Sequence, residues 1–403
     1  MGAVLSNELL LQAVQEFGSP LYVYDAERIR EQYKKLTNAF HRSDVHIFYA
    51  CKALTNVNIL KVLKNQGSGI DCVSINEVKL ALKAGVEPAK IIFTPNSVAL
   101  EEYLEATDLE VNINIDNLDL LQQFGNHFGS AYPVIVRLNP HIMAGGNIKI
   151  STGHVDSKFG ISVKQVDQIV AIAKQTGVKI KGLHLHTGSE IKDVEVFIKG
   201  LDLILELTDQ FPNVTIVDLG GGFKVPYKEE EKGTDMQLLG EKMAETFAAF
   251  KEKTGRTFQV WFEPGKFLVS DCGYFLVKAN IIKKGPSRTF VGVNSGFNHL
   301  IRPMFYDAYH KISNISNPEG ETKTYNIVGN ICETDTFAWD RELNEVHPND
   351  ILLFNNAGAY GFEMSSRFNS RSRPAEVLVS DGKLNLIRRR ESFEDVIAGQ
   401  VID

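Results

Sequence analysis

The sequence predicts an α/β fold: a (β/α)8 TIM-like barrel followed by an all-β C-terminal domain. Three observations carry this. From about residue 45 to 265, short β-rich runs alternate with helix-like segments. Eight such runs occur, the number that closes a parallel barrel rather than leaving an open sheet. After residue 266 the alternation stops, and strand-like runs follow one another with little helical periodicity between them. An open doubly wound sheet is the competing arrangement for the first part.

In chain order, the opening MGAVLSNELLLQAVQEFGSP has leucines at helical spacing and no basic stretch before them, so it does not read as a secretory signal. Met1-Gly2 with Ser6 superficially fits a myristoylation pattern, but the helical reading explains the segment better. The barrel runs are HIFYAC (46–51), GIDCVS (69–74), IIFTP (91–95), VNINI (111–115), PVIVRL (133–138), KGLHLH (181–186), VTIVDL (214–219) and FQVWFEP (258–264). Stretches such as NILKVLKNQG and INEVKLALKAG separate them, with apolar residues three and four apart and a glycine at the end. The fifth connection (139–180) is long and carries a Gly-rich polar insert, HIMAGGNIKISTGHVDSKFG, which reads as a functional loop. Then come GYFLVKANIIKK, TFVGVN, TKTYNIVGNIC, DILLFNNAG, AEVLVSDG and KLNLIRRR, all strand-like. The expected domains are a barrel over 25–266 and a β-sandwich or β-barrel domain over 267–403, joined by the N-terminal residues 1–24.

Composition narrows the function. The 403 residues are 43% hydrophobic and 23% charged, which is ordinary for a globular chain. A net charge of −7 without a basic stripe argues against nucleic acid as a partner. No apolar run reaches the roughly 18 residues of a membrane span. Cys51, Cys72, Cys272 and Cys332 are scattered with no CxxC pair, which reads as reduced thiols in a cytoplasmic protein.

In a β/α barrel the C-terminal strand ends face the active site. Those ends carry Lys52, Asp71, Arg137, His184, His186, Gly220-Gly221-Gly222, Glu263 and Lys266. Singly, each has a bland reading: a solvated lysine, a hydrogen-bonded core histidine, a glycine turn. On consecutive strand ends they suit pyridoxal phosphate. Lys52 offers the amine that such a cofactor needs. Gly220 to Gly222 let backbone N–H groups approach a phosphate. Glu263, after an apolar strand, suits the ring nitrogen. His186 is the candidate to lie against the ring. The glycine run lacks GxGxxG spacing and is followed by Phe-Lys-Val-Pro, so a dinucleotide fold is disfavoured.

Beyond these residues, longer blocks are recognisable. YACKA, GLHLHTGSEI, GGGF and EPGK resemble the lysine, histidine, phosphate and pyridine motifs of the barrel-type, fold III pyridoxal-phosphate decarboxylases, and most closely the diaminopimelate decarboxylases. NHLIRPMFYDAYH, GNICETDTFAWDR and GAYGFEMSSRFNSRSRPAEVLV resemble three further blocks of that family, so the resemblance runs over nearly the whole chain. It implies decarboxylation of meso-2,6-diaminopimelate to L-lysine and CO2, the last step of lysine biosynthesis. It implies that Ser189 and Tyr360 contact the cofactor phosphate, that Cys332 reprotonates the carbanion, and that Glu333 holds the far ammonium. Arg302 and Tyr306 would bind the far carboxylate, with Lys266 beside them, and Tyr360 would line the substrate site as well as the phosphate. Cys332 and Glu333 would enter the partner's site, making the active unit a homodimer.

Two departures bear on substrate choice. Lys266 stands where the family has arginine, and loses the bidentate fork. The family's Cys-Glu-Ser-Gly-Asp is here Cys-Glu-Thr-Asp-Thr, so the following acid moves by one residue to Asp335. Rival readings are a decarboxylase of ornithine, arginine or carboxynorspermidine, which would lack the Arg302-Pro-x-x-Tyr306 block. An alanine-type racemase would place a basic residue where Glu263 stands. A non-catalytic binding relative would have lost Lys52 or the glycine run.

Overall fold

The computed structural model describes residues 5–40, 44–142, 153 and 157–402. The chain divides into two compact units. One comprises the chain up to Glu31, Pro226–Glu231 and the chain from Val269; the other comprises Gln32–Val225 and Lys232–Leu268.

The first unit is built on β1 (Leu21–Asp25), whose five residues LYVYD are all buried. The second unit is the predicted barrel. Its strands are β2 (Val45–Ala50), β3 (Gly69–Cys72), β4 (Ile91–Phe93), β5 (Asn112–Ile115), β6 (Val134–Asn139), β8 (Ile180–Leu185), β9 (Ile216–Asp218) and β10 (Gln259–Phe262), with the two-residue β7 (Ile161–Ser162) extending β6. Every neighbour pairs in parallel, and β10 pairs with β2, so the eight strands close. Six of the eight strands end one or two residues earlier than the apolar runs suggested. HIFYAC, for instance, stops at Ala50, and Cys51–Ala53 form a single 3-10 turn. The Gly-rich insert of the fifth connection lies largely outside the described residues.

Side-chain caps start the helices between strands. Asn56, Ser74, Asn117, Asp193 and Asp235 each accept a backbone N–H of the following first turn. Inside the barrel, Phe48, Ile92, Ile135 and Ile216 come from alternate strands and pack together with Trp261. This is the layer arrangement of a filled parallel barrel. Side chains two residues on point to the same face of a strand. One pleat above that apolar layer the same strands therefore carry Ala50, Thr94, Arg137 and Asp218. The intervening strands β3, β5 and β8 contribute Asp71, Asn114 and His184, and Glu263 follows β10 directly.

The first unit's sheet continues with β11 (Gly273–Lys284), β12 (Thr289–Val293), β13 (Ile312–Asn314), β14 (Thr322–Val328), β15 (Thr336–Asn344), β16 (Ile351–Phe354), β17 (Ala375–Ser380) and β18 (Lys383–Arg388). β1 lies between β11, antiparallel, and β17, parallel. Leu21, Val23, Leu276, Leu353 and Val377 form its core with Leu10 and Ala13 of the helix Asn7–Phe17. The texture is not wholly β: that helix, the short helix Arg302–Tyr306 and the helix Phe393–Ile397 belong to this unit too.

Candidate active site

Lys52 sits on the 3-10 turn that ends β2, between the buried Cys51 and Ala53. Its side chain is 44% exposed, so the strand delivers the ammonium to the mouth of the barrel and not into its core. Its Nζ lies 3.2 Å from Oδ2 of Asp71, which is 1% exposed. Among the described residues, the other oxygen of Asp71 has no hydrogen-bond partner.

Glu263 follows β10 and is buried. Its N–H donates to the carbonyl of Gly220 at 2.7 Å, which ties the end of β10 to the glycine run. Thr94 Oγ1 donates to Glu263 Oε1 at 3.5 Å, and His184 Nε2 stands 3.4 Å from Oε2. His184 is fully buried, with Nδ1 2.6 Å from the amide of Asn114. Asp218 is fully buried too, and its Oδ1 accepts the Gly220 N–H at 2.8 Å. Burial pushes Glu263 well above the usual carboxylate range, with the charges of Asp218 and Asp71 adding to it. Burial likewise pushes Asp218 up to about 7. His184 and His186 are held well below the ordinary imidazole value, first by burial and then by the positive charge of Arg137. Arg137 is buried on β6, with its guanidinium 4.9 Å from the ring centroid of Phe159.

His186 is the first residue beyond β8, and its Nδ1 accepts the Gly221 N–H at 3.3 Å. Gly220 and Gly222 have φ of +63° and +98°. A Cβ on Gly221 would meet the Glu263 carbonyl at 2.4 Å, and one on Gly222 the Gly188 carbonyl at 2.0 Å. The run is thus a place where only bare backbone fits. Gly222→Ala is expected to lower stability by ~2 kcal/mol or more, from left-handed strain plus that clash. Urea unfolding checks this; an unchanged midpoint would contradict the close approach. Ser189 lies in the loop that follows, and Lys266 pairs with Glu190 from the same loop.

The first unit holds the remaining candidates. Arg302 opens its short helix, buried, with its guanidinium 5.6 Å from the Tyr227 ring and 5.9 Å from that of Tyr306. Arg302 and Tyr306 are therefore brought together as the sequence block suggested. Cys332 and Glu333 stand exposed in the turn between β14 and β15. Asn369 accepts the Cys332 N–H at 3.1 Å, and its amide lies 3.3 Å from the sulfur. Asp335 points inward instead: it is 4% exposed and accepts the N–H groups of Phe297 and Ile331. The displaced acid thus holds the turn that presents Cys332 and Glu333. Tyr360 has φ +57°, an uncommon conformation for a non-glycine residue and typical of functional turns.

Asp218, Asn114, Thr94 and Tyr227 were not singled out by sequence, and His184 was noted without a role. For the three barrel residues the signal was available: each lies two residues beyond an inward-facing residue of its own strand.

Comparison with known proteins bears on this site. Residues 26–270 match the family model described as pyridoxal-dependent decarboxylase, pyridoxal binding domain. A diaminopimelate decarboxylase of Methanothermobacter thermautotrophicus is 38% identical over 404 aligned residues, covering 97% of this chain and 93% of that protein. A crystal structure of diaminopimelate decarboxylase matches with TM-score 0.91 at 31% identity, covering 98% of this chain and 96% of that one. The Helicobacter pylori diaminopimelate decarboxylase complexed with L-lysine matches with TM-score 0.89 at 30% identity, covering 96% and 98%. With Lys52, the glycine run and Glu263 standing on the strand ends of a closed barrel, the chain belongs to the diaminopimelate decarboxylase family of pyridoxal-dependent decarboxylases.

Proposed function

We propose that this chain decarboxylates meso-2,6-diaminopimelate to L-lysine and CO2 with pyridoxal phosphate as cofactor, as a homodimer in the cytoplasm. The observation that carries the reading is the joint placement of Lys52, Asp71, Glu263 and the glycine run, in a chain related over nearly its whole length to named diaminopimelate decarboxylases.

The residues fit the cofactor. Gly221 and Gly222 form a cradle that any Cβ would fill. Buried polar atoms await partners at the strand ends, among them Asp71 Oδ1 and Thr187 Oγ1. When bound, pyridoxal phosphate supplies an electron sink for the pair left by a departing carboxylate. Lys52 supplies the anchoring amine, and Asp71 orients it. Gly220 to Gly222, Ser189 and Tyr360 hold the phosphate, and Arg137 adds positive charge at the same end. His186 flanks the ring and keeps water from that face. Glu263 holds the proton at the ring nitrogen. Cys332 of the partner subunit delivers the proton that replaces CO2, and Glu333 beside it binds the far ammonium. Arg302, Tyr306 and Lys266 bind the far carboxylate. Glu333 alone would suit a simple diamine end; the basic residues favour a diacid.

Borohydride trapping tests the cofactor claim. After incubation with pyridoxal phosphate and reduction, mass spectrometry should find the pyridoxyl group on the peptide carrying Lys52. Its absence from that peptide would remove Lys52 from this role.

No described helix is long and apolar enough to cross a membrane.

A further inference from the structure

We infer that Asp218 and Glu263 form one carboxyl pair sharing a single proton, and that Asp218 is thereby a positioning residue for Glu263. The consequence for catalysis rests on the reading above; the pairing itself is a property of the barrel interior.

Backbone geometry sets the two side chains beside each other. β9 and β10 are neighbours, with Asp218 in register with Trp261. Glu263 N–H donates to the Gly220 carbonyl, while Gly220 N–H donates to Asp218 Oδ1. The result is that one carboxylate oxygen each of Asp218 and Glu263 and one ring nitrogen of His184 all lie within 4.8 Å of one another, and all three residues are buried. Among the described residues, Asp218 Oδ2 has no hydrogen-bond donor.

The charges around the pair do not neutralise it. Asp71 on β3 adds a third negative charge, and Lys52, paired with Asp71, offsets only part of the rise at Glu263. Arg137 on β6 acts on both carboxyls from a distance. His184 on β8 and His186 beyond it are kept uncharged by burial. Two buried carboxylates this close do not both ionise; they retain a proton between them. Burial accordingly raises both; the charge of Asp218 raises Glu263 further, while a hydrogen bond from Glu263 favours the ionised form of Asp218.

Once the first of its two protons has left, the pair carries one negative charge. That matches one protonated ring nitrogen. Sharing the proton keeps the anion next to the ring without leaving two unpaired charges in the barrel.

Infrared spectroscopy of the full chain tests this, following the C=O stretch of protonated carboxyls. Wild type minus Asp218→Asn isolates the pair from other raised carboxyls such as Glu77 and Asp335. With pyridoxal phosphate bound at neutral pH, wild type should show one protonated carboxyl that Asp218→Asn lacks. Without cofactor, Asp218→Asn and Glu263→Gln should each lower the midpoint at which the last of these protons leaves, by about one pH unit or more. Near-ultraviolet circular dichroism confirms folding, and if one variant fails to fold the other reads its partner. Identical carboxyl bands in wild type and variants, or unchanged midpoints, would overturn the pair. So would a titration that changes on addition of EDTA, which would mean that His184, Asp218 and Glu263 hold an ion instead. Lysine formation by wild type alongside unchanged midpoints would sink the pair and leave the decarboxylase reading standing. Altered midpoints in a chain that releases no CO2 would do the reverse.

Discussion

Lys52→Ala is expected to abolish lysine formation, lowering kcat by about 10³-fold or more, while the barrel stays folded. The two effects separate because of where the side chain sits. Lys52 is 44% exposed at the end of β2, so truncation opens no core cavity. The 3-10 turn is anchored by the buried Cys51 and Ala53 on either side. The structural cost is the loss of the ion pair to Asp71, discounted for the lysine's exposure to ~1 kcal/mol. The chemical cost is the whole amine, for which no neighbouring group substitutes in position. Measuring lysine production and the urea midpoint on the same preparation checks both halves. Activity within tenfold of wild type would show that the amine is not the anchor.

The second large effect concerns the partner subunit. Lys52→Ala and Cys332→Ala chains are each expected to be inactive alone. Mixed and allowed to exchange, they should recover about one quarter of the wild-type sites: half the dimers are mixed, and one of two sites in each is intact. The exposure of Cys332 and Glu333, with Asn369 holding the turn and Asp335 bracing it from within, suits side chains presented outward to another copy. A mixture that stays inactive after confirmed exchange would place Cys332 in its own chain's chemistry or outside it.

The barrel was legible because each of its strands is a short apolar run and the segments between them carry apolar residues three and four apart, as in the helices Val57–Asn65 and Ile75–Lys83. Position on a strand end was enough to pick out Lys52, Asp71, Arg137 and Glu263. The same reading passed over Asp218, Asn114 and Thr94, because it looked at motif residues and not at the pleat. Counting two residues on from Ile216, Asn112 and Ile92 would have found all three on the inward face. The place of β1 was less accessible. LYVYD pairs with β11 and β17, which lie far along the chain, and no local pattern announces a non-local register. Asp335 shows a further limit: its shift by one position looked like a change in recognition, whereas its carboxylate is spent on two backbone N–H groups, Ile331 of its own turn and Phe297 of the segment after β12.

Substrate choice is the central claim. The most direct measurement supplies the chain and pyridoxal phosphate separately with meso-diaminopimelate, L-ornithine, L-arginine, L-lysine and carboxynorspermidine, quantifies CO2 and identifies the amine. Lysine formed from diaminopimelate, with no CO2 from the others, is the predicted result, and would mean that Lys266 and the altered Cys332 turn are tolerated. CO2 released from ornithine or arginine, and none from diaminopimelate, would contradict the account of the far end of the substrate, whatever Lys52 does at the near end.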